Sequence, residues 1–208
     1  MFSLVINQSL ANIAVILATI STVAFLLPQI VKLVRSGDSD GVSTTWPALG
    51  FVINAGWCIY LIAQALWVAV FAPFFTFLAY GVTMWALLRT GRDLSTSYLR
   101  GVVATTLLTA VAIIGGWEVL GVFLGISYGV VITPSIWTAY RTSIPSGISA
   151  LTWWIGLVEA LLWGYYGWFH SDRGIVTFMV VGVIGSGLML IRFYTTRSRS
   201  TPAPLVAS

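Results

Sequence analysis

GVSTTWPALGFVINAGWCIYLIAQALWVAVFAPFFTFLAYGVTMWALL, residues 41–88, runs for 48 residues without a charged side chain. A helix crossing a bilayer needs about 20 apolar residues. The run therefore holds two spans, with a short turn near Val68–Pro73. Outward from it, further uncharged runs cover Met1–Val31, Gly101–Trp117, Val119–Tyr140, Thr142–Val158, Ala160–Phe169 and Gly174–Ile191. These predict seven spans at roughly 10–34, 46–67, 71–89, 101–115, 117–140, 150–169 and 174–194. The whole chain agrees: 208 residues, 58% hydrophobic and 8% charged, against about 25% charged in a soluble domain. Such a chain cannot cover a soluble surface. The expectation is an all-α integral membrane protein whose immediate environment is the lipid bilayer.

Charge and composition narrow the functional classes. The formal charge is +4, but the bases are dispersed, so no nucleic-acid partner is expected. With the N-terminus outside, the inner side holds Lys32, Arg35, Arg89, Arg92, Arg100, Arg141, Arg192, Arg197 and Arg199, and the outer side only Arg173. That is the positive-inside pattern, with a cytoplasmic C-terminus. Nine arginines to one lysine is the usage of a GC-rich bacterial genome, which points to a bacterial plasma membrane. One cysteine, Cys58, and one histidine, His170, can build neither an internal disulfide nor a multi-histidine metal site. No metal or cofactor is expected. Gly125-Ile126-Ser127-Tyr128-Gly129 matches G-x-S-x-G, but it sits in a membrane run with no strand before it. The reading is not an enzyme.

The most informative feature is self-similarity. A shift of 106 residues, without a gap, aligns Ile20 with Ile126, Ser21 with Ser127, Pro28 with Pro134, Arg35 with Arg141, Gly41 with Gly147, Gly50 with Gly156, Trp57 with Trp163, Tyr60 with Tyr166 and Gly81 with Gly187. Chance matching of apolar residues would give mostly leucine and valine. The repeat joins spans one to three with spans five to seven, so the odd fourth span makes both copies enter the membrane in the same direction. The expected organisation is a first three-helix repeat at 10–95, a linker helix at 96–116, a second repeat at 117–195 and a disordered cytoplasmic tail at 196–208. Parallel duplication of this kind places a cavity on the axis between the halves. It makes a monomer sufficient and leaves a homo-oligomer open.

Leu27-Pro28-Gln29-Ile30, followed by Arg35 and Asp40-Gly41-Val42-Ser43, resembles the PQ-loop motif of the SWEET (MtN3/saliva) superfamily. The second copy, Thr133-Pro134-Ser135-Ile136 with Arg141 and Ser146-Gly147-Ile148-Ser149, keeps the proline and loses the glutamine. Trp163-Gly164-Tyr165-Tyr166-Gly167 with His170-Ser171-Asp172 is similar to the end of the second helix in half-size bacterial SemiSWEETs. The resemblance implies a 3+1+3 helix layout and alternating-access transport of a small sugar, as a facilitative uniporter. It also implies an outer gate of Tyr60, Tyr166 and Asp172. The family carries a sugar-contacting asparagine sixteen residues after each pocket tryptophan. Here those positions hold Pro73 and Met179, which lack an amide's donor and acceptor.

The residues themselves supply candidates. Pro28 and Pro134 each delete a helix hydrogen bond and, with Gln29, are read as hinges. Trp57 and Trp163, one from each repeat, are read as aromatic walls; Trp46, Trp67, Trp117, Trp153 and Trp168 fit an interfacial belt. Glu159 is the only carboxylate deep in a span, where charge is costly and normally functional. It lies one turn before Trp163, on the same face. Its repeat equivalent is Ile53, and the neighbouring Asn54, three residues before Trp57, can share that tryptophan's face. The expected binding site is therefore Trp57, Trp163, Asn54 and Glu159. The alternatives are a carrier of an amine, amino acid or other metabolite, proton-coupled through Glu159, and a receptor of the same fold that binds without transport. Gly121, Gly125 and Gly129 form a small-residue stripe expected to serve close helix packing.

Overall fold

Schellman-type turns at two places 106 residues apart organise the molecule. In the computed structural model, which describes residues 2–36, 44–143 and 149–197, the Gln64, Ala65 and Leu66 amides donate to the carbonyls of Tyr60, Ile62 and Leu61. The His170, Ser171 and Asp172 amides donate to those of Tyr166, Trp168 and Gly167, in the same pattern. Ala65 and Ser171 both take positive φ, 57° and 55°. Left-handed backbone costs a non-glycine residue roughly 1–2 kcal/mol. Its recurrence at equivalent positions gives the duplicated sequence a duplicated conformation.

Six helices contain the described chain: α1 (Phe2–Ser36), α2 (Thr45–Ala63), α3 (Phe71–Arg89), α4 (Ser95–Arg141), α5 (Ala150–Phe169) and α6 (Arg173–Arg197), with a 3-10 turn at Trp67–Val70 between α2 and α3. No strand occurs among the described residues. Five stretches within them are long and apolar enough to cross a membrane: 7–24, 45–63, 67–89, 95–141 and 173–196. At 1.5 Å per residue, the 47 residues of α4 extend about 70 Å, twice the roughly 30 Å of hydrocarbon. The helix breaks at Gly116, whose φ of 74° and ψ of −175° belong to a region essentially reserved for glycine. Two crossing-length arms result, 95–115 and 117–141. Helix α5, 20 residues long, is not among the five stretches. The fourth span expected from the sequence begins earlier than predicted, because Asp93 ties the start of α4. Its carboxylate accepts from the Ser95 amide at 2.8 Å and from the Ser95 hydroxyl at 2.9 Å, which lowers its pKa. Likewise, α1 extends well before residue 10.

Packing follows a 1-3-2 order in each half. Helix α3 packs on both α1 and α2, and α6 packs on both α4 and α5. Between the halves, α1 meets α5 and α2 meets α4, two contacts that a two-fold axis would exchange. Glycines allow the closest approaches. A Cβ on Gly121 would collide with the Tyr60 ring, and one on Gly174 with the Gly121 backbone. Gly125 lies against Gly174, Thr177 and Phe178, and Gly129 against Val181. The glycine stripe thus seats α6 on the second arm of α4 and also admits a tyrosine from the other half. The outward surface is apolar: Ile113 and Ile114 are 79% and 86% exposed, as a lipid-facing surface requires.

Candidate functional site

The buried core runs through both halves, from Ala11, Val15 and Ala18 of α1 to Tyr60, Leu124, Trp163, Tyr166 and Ile175. Within it, α5 carries Glu159 halfway along its length. The Thr22 hydroxyl of α1 lies 2.5 Å from Glu159 Oε1 and 3.0 Å from the Ala18 carbonyl of its own helix. Trp163, one turn after Glu159, lies within interaction range of the same carboxyl. This contact joins the first half to the second. Thr22 was invisible as a site residue in the sequence: threonine in an apolar helix usually bonds back to its own backbone.

Trp163 also belongs to a cluster of four rings. Trp57 and Trp163 both meet Phe178 edge-on, with ring centroids 6.2 and 6.3 Å away, and Tyr128 packs on Phe178 at 4.8 Å. Phe178 therefore sits between the paired tryptophans. Sequence reading missed it for a plain reason: at the equivalent position of the first repeat stands Ala72, so the repeat gave no hint of a ring. The 106-residue shift also maps Thr22 onto Tyr128 and Glu159 onto Ile53.

The remaining candidates fall in varied places. Asn54 donates from Nδ2 to the Gly50 carbonyl of its own helix at 2.7 Å, and no hydrogen bond joins it to Glu159 among the described residues. Pro73 is buried in the first turn of α3, where a missing N–H costs little. Met179 packs against the backbone at Gly164 of α5, one residue past Trp163. Pro134 lies inside α4 and is exposed. Helix α1 passes through positions 28 and 29; the side chains of Pro28 and Gln29 lie outside the described residues, as do the segments 37–43 and 144–148. Of the tryptophans assigned to the belt, Trp46, Trp67, Trp117 and Trp168 are exposed and Trp153 is half-buried, as is Trp57, whereas Trp163 is buried.

At one end of the molecule the halves are latched. The Tyr60 phenol of α2 donates to Asp172 Oδ2 at 2.7 Å. Asp172 Oδ1 accepts the Ile175 amide at 2.8 Å, capping α6. Tyr60 and Tyr166 also pack edge-on against Trp57 and Trp163. The Tyr166 ring packs against His170 in a tilted arrangement, with centroids 4.4 Å apart. Burial, the larger influence, holds the His170 imidazole below its ordinary pKa, and nearby Asp172 pulls it partly back. The latch is one-sided, since the counterpart of Asp172 in the first repeat is Leu66. At the same end, the exposed side chains of Arg173 and Glu118 form an ion pair. At the opposite end, Arg192 donates to the carbonyls of Ala139 and Thr142 at 3.0 and 2.6 Å, holding α6 to the C-terminus of α4.

Fold and site define a polytopic α-helical membrane protein with a carboxylate-and-aromatic centre between two groups of helices. The family model described as the PQ loop repeat matches residues 10–70, which spans most of α1, all of α2 and the turn that follows. The match makes this first part of the chain similar to the PQ loop repeat family. No curated protein matches the chain.

Proposed function

We propose that the chain is a membrane carrier that moves a small polar solute by alternating access. The observation that carries this reading is the Tyr60–Asp172 bond. It ties the halves together at one end, directly beyond Trp57 and Trp163. A carrier needs such a closure to be breakable, and a single hydrogen bond, worth roughly 0.5–1.5 kcal/mol net and more to a charged group, is a suitable strength. The matched conformation at Ala65 and Ser171, and the matched contacts α1 to α5 and α2 to α4, support two parallel repeats at 10–95 and 117–195 joined by the linker 96–116. Rocking one repeat against the other would expose the centre to each side in turn. Pro134, and Pro28 by the repeat, serve as hinges; Tyr60, Tyr166 and Asp172 form the outer gate. The distribution of arginines supports an N-out, C-in orientation in the plasma membrane.

A sugar is the substrate that the SWEET resemblance supports, with facilitative uniport as the mechanism. Uptake of labelled glucose and of small amines into proteoliposomes tests the reading. Flux above protein-free vesicles, lost in both Trp163→Ala and Glu159→Gln, is the expected result. If both variants carry solute at the wild-type rate, the proposed site is wrong. Saturable binding without flux for every solute would select a receptor instead.

A further inference from the structure

Among the described residues, Glu159 has no basic partner in its neighbourhood. Between Arg141 and Arg173 the sequence contains no lysine or arginine, and the bases of α1, α4 and α6 stand at the helix ends. The groups that face it are Thr22 from α1, Trp163 from its own helix and Tyr128, within electrostatic reach, from α4. None carries a positive charge. A carboxylate at this depth is stable only when something neutralises it.

The hydrogen count at Thr22 shows one way. Its hydroxyl has a single proton, yet its oxygen lies close to both Glu159 Oε1 and the Ala18 carbonyl. A protonated Glu159 donates to Thr22 Oγ1, which then donates to Ala18. One proton on the carboxyl satisfies both contacts. The other way is a cation. Trp57, Trp163, Phe178 and Tyr128 form one connected cluster of rings that reaches Glu159 through Trp163 and Tyr128, and ring faces attract ammonium groups. A sugar, by contrast, brings several hydroxyls that each need a partner, and this centre offers few polar groups to them.

From this juxtaposition of one unpaired carboxyl, its Thr22 relay and four rings, we infer that the site binds a small organic ammonium ion in exchange for one proton. The inference rests on the carrier reading and names its substrate class. The exchange balances: the ammonium enters as Glu159 releases its proton to the water on that side, and Glu159 regains a proton on the other side as the cation leaves. No covalent bond to carbon forms or breaks.

Tetramethylammonium is the probe, because it is charged at every pH and cannot cross lipid as a neutral amine. Purified protein should bind it saturably by tryptophan fluorescence and release about one proton per cation bound. The affinity should weaken about tenfold per pH unit in the range where Glu159 is protonated. Glu159→Gln should weaken binding at least tenfold and abolish proton release, while Glu118→Gln, which removes an exposed carboxylate elsewhere, should do neither. In proteoliposomes, an acidic interior should drive tetramethylammonium accumulation. Binding indifferent to Glu159→Gln, or glucose flux without any tetramethylammonium binding, overturns the inference and leaves the carrier reading standing. Proton-releasing binding with no flux of any solute overturns the carrier reading and exchange transport, and leaves ammonium recognition at Glu159 intact.

Discussion

Tyr60 and Asp172 are 112 positions apart in the chain, and the phenol of one donates to the carboxylate of the other at 2.7 Å in a buried setting. The same Asp172 caps α6 through the Ile175 amide. One carboxylate thus starts a helix and closes the gap between two halves.

Tyr60→Phe keeps the ring that fills the space at Gly121 and removes only the donor. Asp172 then keeps its capping role and loses its partner across the interface. The expected cost is about 1–3 kcal/mol, seen as a lower melting temperature in detergent. An unchanged melting temperature would mean that the bond does not latch the halves.

His170 gives a pH dependence of known sign. Its folded pKa lies below the ordinary 6.5, chiefly through burial. The neutral ring therefore contributes stability that is full above pH 6.5 and lost as the pH falls through that value toward the folded one. The melting temperature should fall between pH 7 and pH 5. Replacing His170 by glutamine, the residue at the equivalent position 64, should flatten that part of the fall. Parallel curves for the two proteins would exclude the imidazole as the cause.

Gly174→Ala and Gly187→Ala make a matched pair on α6. At Gly174 the added methyl meets the Gly121 backbone, which cannot move aside as a side chain can; at Gly187 it meets open space. Overpacking at the first site should destabilise by about 1–3 kcal/mol, and the second should be within about 0.5 kcal/mol of wild type. Thermal unfolding of the two variants decides. Equal stability would mean that α4 and α6 do not approach as described.

Gly116→Ala isolates a backbone cost. Nothing lies within 4 Å of an added Cβ, but φ is 74°. The expected loss is about 1–3 kcal/mol. A variant as stable as the wild type would show that the break between the two arms of α4 does not depend on the conformation at residue 116.

The sequence alone determined that the chain is helical and apolar, and it carries the repeat. Hydropathy marked the apolar runs, because a bilayer demands runs of apolar residues and tolerates charge only at their ends. It even placed the boundary between the fourth and fifth spans at residue 116, where Gly115-Gly116 interrupts the run and the helix breaks. The shift of 106 residues was legible because glycine, proline and tryptophan are chosen for shape and do not recur by chance. It also marked Glu159, the one carboxylate far from any helix end. Partnerships were settled by tertiary structure alone. Thr22 against Glu159, Phe178 between Trp57 and Trp163, and Tyr60 against Asp172 all join helices distant in the chain, and Asn54 turned back on its own helix. In a soluble protein, alternation of polar and apolar residues marks which face of a helix is inward. Here lipid is as apolar as the interior, so both faces read alike, and only packing decides which side chain meets which.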